Sequence, residues 1–177
     1  MKTTAFFLIL LLVFGNLQAQ SPVGQGTYTV NGSISYESRT NDGSTFNQFR
    51  FEPQIGYFFV DNLYTAISLT YFHYGFESNS DNYYGFGPAI RYYFDLSKKL
   101  KPYLGAGLAY MEMKNGSSSN YTEIKFSGGA DYFITNYFAI ETAINYSRIK
   151  LGESNLYSGN DVTKIINFSI GVNFFIH

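Results

Sequence analysis

The chain has 177 residues, enough for one domain, and its 12 Lys and Arg against 13 Asp and Glu leave no clustered basic face for nucleic acid. It has no cysteine, which excludes disulfides, a thiolate metal site and a lipidated N-terminal Cys. Aromatic residues make up 20% of it without a single Trp, against 14% charged residues, a balance poorly suited to a soluble domain.

Met1-Lys2-Thr3-Thr4 is a short positive start, Ala5–Phe14 an apolar run and Leu17-Gln18-Ala19 a small-residue cleavage site. Residues 1–19 read as a secretory signal peptide, too short to span a bilayer, and residues 20–177 as the mature barrel domain.

Eight alternating segments follow. Strand one, Thr27–Ser38, sets Tyr28, Val30, Ile34 and Tyr36 against Thr29, Asn31, Ser33, Ser35 and Glu37. Strands two and three form a hairpin over Phe46–Phe76 with a tight Asp61-Asn62 turn. Phe49, Phe51, Pro53, Ile55, Tyr57 and Phe59 alternate with Gln48, Arg50, Glu52, Gln54 and Gly56; Leu63, Thr65, Ile67, Leu69 and Tyr71 alternate with Tyr64, Ala66, Ser68 and Thr70. Strand four, Tyr83–Phe94, opposes Tyr84, Phe86, Ile90 and Tyr92 to Gly85, Gly87, Arg91 and Tyr93. In strand five, Pro102–Met113, Leu104 and Leu108 oppose Tyr103, Gly105 and Gly107. Strand six, Thr122–Ile134, opposes Ile124, Phe126 and Tyr132 to Glu123, Lys125 and Asp131. In strand seven, Tyr137–Ile149, Ile140 and Ile144 oppose Glu141 and Asn145. Strand eight, Lys164–Ile176, sets Ile166, Phe168 and Ile170 against Asn167, Ser169 and Asn173. Each segment is long enough to cross a membrane as a tilted strand of roughly 9–11 residues.

The connections alternate as well. Asp61-Asn62, Asp95–Lys101 and Thr135-Asn136 are short. Arg39–Thr45, Gly75–Asp81, Lys114–Tyr121 and Lys150–Thr163 are longer and polar. Short periplasmic turns and long extracellular loops are the habit of outer-membrane barrels, and an even strand number puts both termini in the periplasm. A soluble barrel such as a lipocalin has the same alternation with grease inside. Glycines and charges share one face here, which suits a crowded polar interior rather than an apolar ligand cavity. The expected fold is therefore all-β, an eight-stranded antiparallel up-and-down transmembrane barrel. A faint similarity at a 75-residue offset, Tyr57-Phe58 with Tyr132-Phe133, is attributed to two short-turn hairpins obeying the same membrane constraint.

Pro53-x-x-Gly56-Tyr57-Phe58-x-x-Asp61-Asn62-Leu63, Gly85-Phe86-Gly87-Pro88-x-x-Arg91-Tyr92-Tyr93-Phe94 and Lys101-Pro102-Tyr103-Leu104 together resemble the small outer-membrane β-barrel domain, porin-family and OmpA/OmpX-like, of the Bacteroidetes type. The resemblance runs from about residue 24 to 177. It implies an integral protein of a Gram-negative outer membrane and no catalytic signature. Barrels of this kind end in an aromatic residue read by the assembly machinery; this chain ends in Phe174-Phe175-Ile176-His177, with Phe175 the expected substitute.

The inward charges Arg50, Glu52, Arg91, Glu123, Lys125, Asp131 and Glu141 are the candidate site, read as a salt-bridge network that plugs the lumen. Pairing Phe133 with Ala139 would put Asp131 opposite Glu141, two carboxylates that would hold one proton or recruit a cation, with Arg91 as partner. An eight-stranded interior is only wide enough to be filled by side chains, which excludes large-solute passage. His73 is the one candidate for lipid chemistry, with Glu77, Ser78 or Ser80 as its possible partners. Glu77, Asp81, Glu153 and Asp161 are loop acids that would bind cations or bridge lipopolysaccharide, or simply be solvated. The expectation is thus a monomeric, non-enzymatic envelope protein without cofactor or metal. Its expected partners are membrane lipid, lipopolysaccharide and, through the last strand, the barrel-assembly machinery. A narrow ion-conducting barrel and a lipid A-modifying enzyme are the alternatives.

Overall fold

The structure is a computed structural model that describes residues 22–41, 44–76, 79–113, 120–151 and 162–177; the expected signal peptide lies outside them. Eight strands follow in order: β1 Tyr28–Asn41, β2 Ser44–Val60, β3 Leu63–Phe76, β4 Asn79–Tyr93, β5 Leu100–Met113, β6 Asn120–Thr135, β7 Phe138–Leu151 and β8 Val162–Ile176. Each pairs antiparallel with its neighbours in sequence, and β1 pairs with β8 to close the barrel.

The tight turns have visible causes. Asn62 takes the left-handed conformation, φ 65°, which a short polar side chain tolerates. The β2–β3 and β6–β7 hairpins each slip register just before the turn, between Phe58 and Val60 and between Phe133 and Thr135. The bulge leaves two consecutive residues outside after each inward phenylalanine, Phe59 with Val60 after Phe58 and Ile134 with Thr135 after Phe133.

Following paired residues around the wall from Tyr28 leads through Tyr57, Thr65, Ile90, Ala106, Phe126 and Tyr146 to Ile166, whereas Tyr28 itself pairs with Ile176, ten residues further along β8. That stagger with eight strands means a tilt of roughly 40° and a radius of about 8 Å, a bore that side chains can fill.

The period-two alternation sorts the faces as the sequence requires. Ile55 is 68% exposed, Leu69 57% and Ile170 51%, and the apolar belt they belong to runs right round the barrel. A soluble monomer rarely shows more than a few hundred Å² of contiguous apolar surface, so hydrocarbon is what this wall fits. Aromatic pairs mark both edges of the belt: Tyr28–Tyr57, Tyr92–Phe94 and Phe138–Phe174 near the turns, Phe49–Tyr71 and Tyr71–Tyr84 towards the loops. From Tyr28 to Tyr36 the tilted strand climbs roughly 20 Å, close to the height of a barrel's apolar band.

Two expectations change. Arg39–Thr45 and Gly75–Asp81 are mostly strand, because β1–β2 pairing continues to Asn41↔Ser44 and β3–β4 pairing to Phe76↔Asn79. Polar residues continue a ladder above the membrane as readily as apolar ones do within it. The last tight turn is Asn136-Tyr137, with β7 starting at Phe138. Within the expected Lys150–Thr163 loop, residues 152–161 lie outside the described structure, as do 114–119 of Lys114–Tyr121.

The β1–β8 seam is uneven. Paired residues run from Tyr28↔Ile176 to Ile34↔Ile170, and the ladder stops there although both strands continue towards the loop end.

Candidate functional site: a filled lumen with a cup at the loop end

Inward-facing side chains form tiers along the barrel axis. At the turn end they are aromatic. Phe58 touches Tyr64, Tyr93 and Phe175 at ring distances of 5.4, 5.6 and 6.4 Å, and Phe133 meets Phe175 at 4.8 Å. Val23 joins them from the N-terminal segment, which is tied down by Asn62 N–H to Val23 O (2.8 Å) and Gly26 N–H to Phe58 O (3.0 Å). Two glycines make room for the rings. A Cβ on Gly56 would lie 2.2 Å from the Tyr64 ring, and one on Gly129 2.8 Å from that of Tyr103. At these two positions the missing side chain is the seat of a tyrosine ring. Phe175 belongs to this plug and is 2% exposed; Phe174 is the outward aromatic of the last strand.

The phenols join this plug to the first layer of charge. Tyr64 donates to Asn31 Oδ1 and accepts from Thr29, both at 3.1 Å, and Tyr93 donates to Asp131 Oδ2 at 3.1 Å. Asp131 faces Glu141 across the β6–β7 ladder. Arg91 Nη1 donates to Glu141 Oε2 at 2.5 Å and Nη2 to Gln54 Oε1 at 3.3 Å, while its guanidinium lies over the Tyr103 ring at 4.6 Å. Asn173 Nδ2 bridges the two carboxylates, 2.8 Å from Asp131 and 3.0 Å from Glu141. This layer holds one cation and two carboxylates. Neutral donors, Tyr93 and Asn173, make up for the missing second cation.

A second layer lies nearer the loops. Arg50 pairs with Glu123 and reaches Glu52 at 3.3 Å; Lys125 Nζ donates to both oxygens of Glu52, at 2.7 and 2.8 Å. Two cations meet two carboxylates, so this layer is neutral in itself. Pairing is obligatory for charges inside a membrane-embedded wall, where desolvation costs several kcal/mol per ion. The seven inward charges thus form two separate layers rather than one network, and Arg91 bonds Glu141 but not Asp131. Between the layers, Glu52, Gln54, Arg91, Lys125 and Glu141 line a cavity of about 10 Å³, room for about one water.

Above the second layer the interior opens. Gln48, Phe72, Tyr74, Tyr83, Met111, Tyr121, Ile149, Thr163 and Ile165 line a cavity of about 300 Å³ at the loop end. This corrects the expectation of an interior crowded throughout: at the loop end a cavity of mixed lining, phenols and amide beside aromatic and aliphatic walls, is left unfilled. Glycine and charge dominate the middle of each strand, but the upper inward positions are aromatic and aliphatic. Other contributors were passed over. Lys101, taken as part of a turn, is an inward β5 residue, buried and paired with Asp95; extending the alternation back from Tyr103 would have found it. Gln54 and Asn173, uncharged residues of the polar face, complete the first layer as partners of Arg91 and of the two carboxylates.

His73 sits on the outward face, its Nδ1 2.8 Å from Asn82 Oδ1, an atom that also accepts from Tyr71 at 2.9 Å. Glu77, Ser78, Glu153 and Asp161 lie outside the described residues.

An antiparallel eight-stranded cylinder with an apolar outer wall, aromatic rims and ion pairs along its axis defines a transmembrane β-barrel. The chain belongs to the outer membrane protein beta-barrel domain family, whose model matches residues 7–174; it is a protein of the outer membrane. No curated protein matches it in sequence. Among solved structures it resembles Neisserial surface protein A, with TM-score 0.63 and 22% identity over 85% of this chain and 97% of that one. The N-terminal barrel domain of Pseudomonas aeruginosa OprF aligns at TM-score 0.57 and 20% identity, over 86% and 98%. The outer membrane enzyme PagL aligns at TM-score 0.52 and 14% identity, over 82% and 98%. At these identities the likeness is one of fold.

Proposed function

We propose that this chain is a non-catalytic barrel that serves the bacterial envelope structurally or as a contact surface, its lumen closed by its own side chains. The observation that carries the reading is the pair of charge layers above an aromatic plug, with about 10 Å³ between them. Hydrated ions need a continuous wet path, and between the two charge layers there is room for about one water. The signal peptide is cleaved after Ala19, both termini and the short turns face the periplasm, and the loop end faces outward. The barrel works as a monomer among lipid and lipopolysaccharide after insertion through its last strand.

Planar-bilayer recording tests the closed lumen. Wild-type protein is expected to give no discrete openings. Openings that disappear on Arg91→Ala would replace this reading with an ion path. The likeness to PagL raises a second reading, an enzyme acting through His73. Against it stands the setting of His73, on the outward wall in the aromatic rim, where it shares Asn82 Oδ1 with the Tyr71 phenol. If a deletion strain has an altered lipid A profile that wild type restores and His73→Ala does not, the enzyme reading prevails.

A further inference from the structure

The cup above the second charge layer has a composition of its own. Phe72, Met111, Ile149 and Ile165 give it apolar walls, and Tyr74, Tyr83 and Tyr121 add three phenol rings. The rings brace one another: Phe72 lies 5.6 Å from Tyr83, and Tyr83 meets Tyr121 edge-on at 5.3 Å. On the ladders Phe72 pairs with Arg50 and Tyr74 with Gln48, so Tyr74 stands one inward step nearer the loop end than Phe72. Asp81 pairs with Tyr74 and shares the inward parity of β4 with the lining residue Tyr83. The cations beneath, Arg50 and Lys125, are taken up by Glu123 and Glu52. A small guest therefore meets aromatic faces, aliphatic walls and, beside Tyr74, the strand position of an acid. An apolar cavity of about 150 Å³ accepts benzene, so about 300 Å³ suits one ring with a bulky substituent.

We propose that this cup binds a small organic cation with an apolar body, an aromatic or alkyl ammonium compound, entering from the loop end. Aromatic faces attract a desolvated ammonium through their quadrupoles, and the acid at Asp81 raises its local concentration. The same acid disfavours an organic anion of equal size. Nothing in the closed-lumen reading requires such a ligand, and the guest would stop at the Arg50–Glu123 layer rather than pass through.

The test uses full-length mature protein in octyl glucoside micelles, whose uncharged headgroup does not bias the comparison of cation with anion. Benzyltrimethylammonium, benzyl alcohol and phenylacetate are titrated separately, and binding is read from ligand-observed NMR. The cation is expected to bind at least tenfold more tightly than phenylacetate. Ile165→Trp, which fills the cup, should abolish binding, with Ile149→Trp as the alternative if the first variant does not fold. Asp81→Asn should narrow the gap between cation and anion several-fold while leaving benzyl alcohol unchanged. Failure of all three probes to bind, undiminished binding to a folded filled-cup variant, or equal affinity for phenylacetate would each overturn the proposal.

Discussion

The turn half and the loop half of this barrel share the same strands and differ in how completely they are filled. In the turn half β1 pairs with β8, aromatic rings close the bore, and the N-terminal segment is tied across them. In the loop half the β1–β8 ladder has stopped and the interior widens into a cup. Close packing and continuous hydrogen bonding place most of the stability near the turns. An open, incompletely paired end is where a barrel can afford to bind something.

The sharpest way to break this comparison is to remove one acid from each charge layer. Glu141→Ala strands Arg91 in the turn half and is expected to cost about 3–5 kcal/mol in urea unfolding from lipid vesicles. Glu123→Ala leaves Arg50 with Glu52 and should cost about 1.5–3 kcal/mol. Equal losses would mean that the halves are equally stable. Phe58→Ala opens a cavity in the plug and should also cost about 3–5 kcal/mol, whereas Ile165→Ala, beside the open cup, should cost about 1 kcal/mol or less. Gly56→Val drives a side chain into the Tyr64 ring; a loss of about 1–3 kcal/mol is expected, relieved when Tyr64→Leu is added.

Hydrogen exchange sharpens the contrast without mutation. Alternate amides of β1 that face β8 beyond Ile34 should exchange about tenfold or more faster than those between Tyr28 and Ile34. Uniform protection along β1 would show that the seam is closed to the top.

The smallest effect lies at the turn rim. Lys101 and Asn62 donate to Asp95 and hold its carboxyl below the ordinary carboxylate range. A depressed folded value contributes stability above the unfolded pKa that is lost as pH falls through the folded one. The window therefore lies below about pH 4. Because Asp95 is largely exposed, the difference between wild type and Asp95→Asn should be about 0.5 kcal/mol or less at pH 7 and vanish near pH 2.

Much of this molecule was legible in its alternation. A strand has period two, so Ile55 or Leu69 fixes the face of each neighbour, and Asp61-Asn62 fixes where the chain reverses. The Asp131–Glu141 juxtaposition followed from one hairpin register. Loop bounds were not legible, because Arg39–Thr45 has the polarity of a loop and pairs as strand. Nor was the way the charges divide among partners, since seven inward charges on four strands admit many pairings until the stagger sets their heights.

Taken alone, the sequence determined the wall: strand number, the apolar outer face and the polar inner one are local periodicities that survive any placement of the strands. The interior was decided only in three dimensions. Which residues stand level across the bore depends on the ten-residue stagger, a property of the closed ring that no single strand carries. That stagger gathers Phe58, Tyr64, Tyr93, Phe133 and Phe175 into a plug, separates Arg91 from Arg50, and leaves a cup among Phe72, Tyr83 and Ile165.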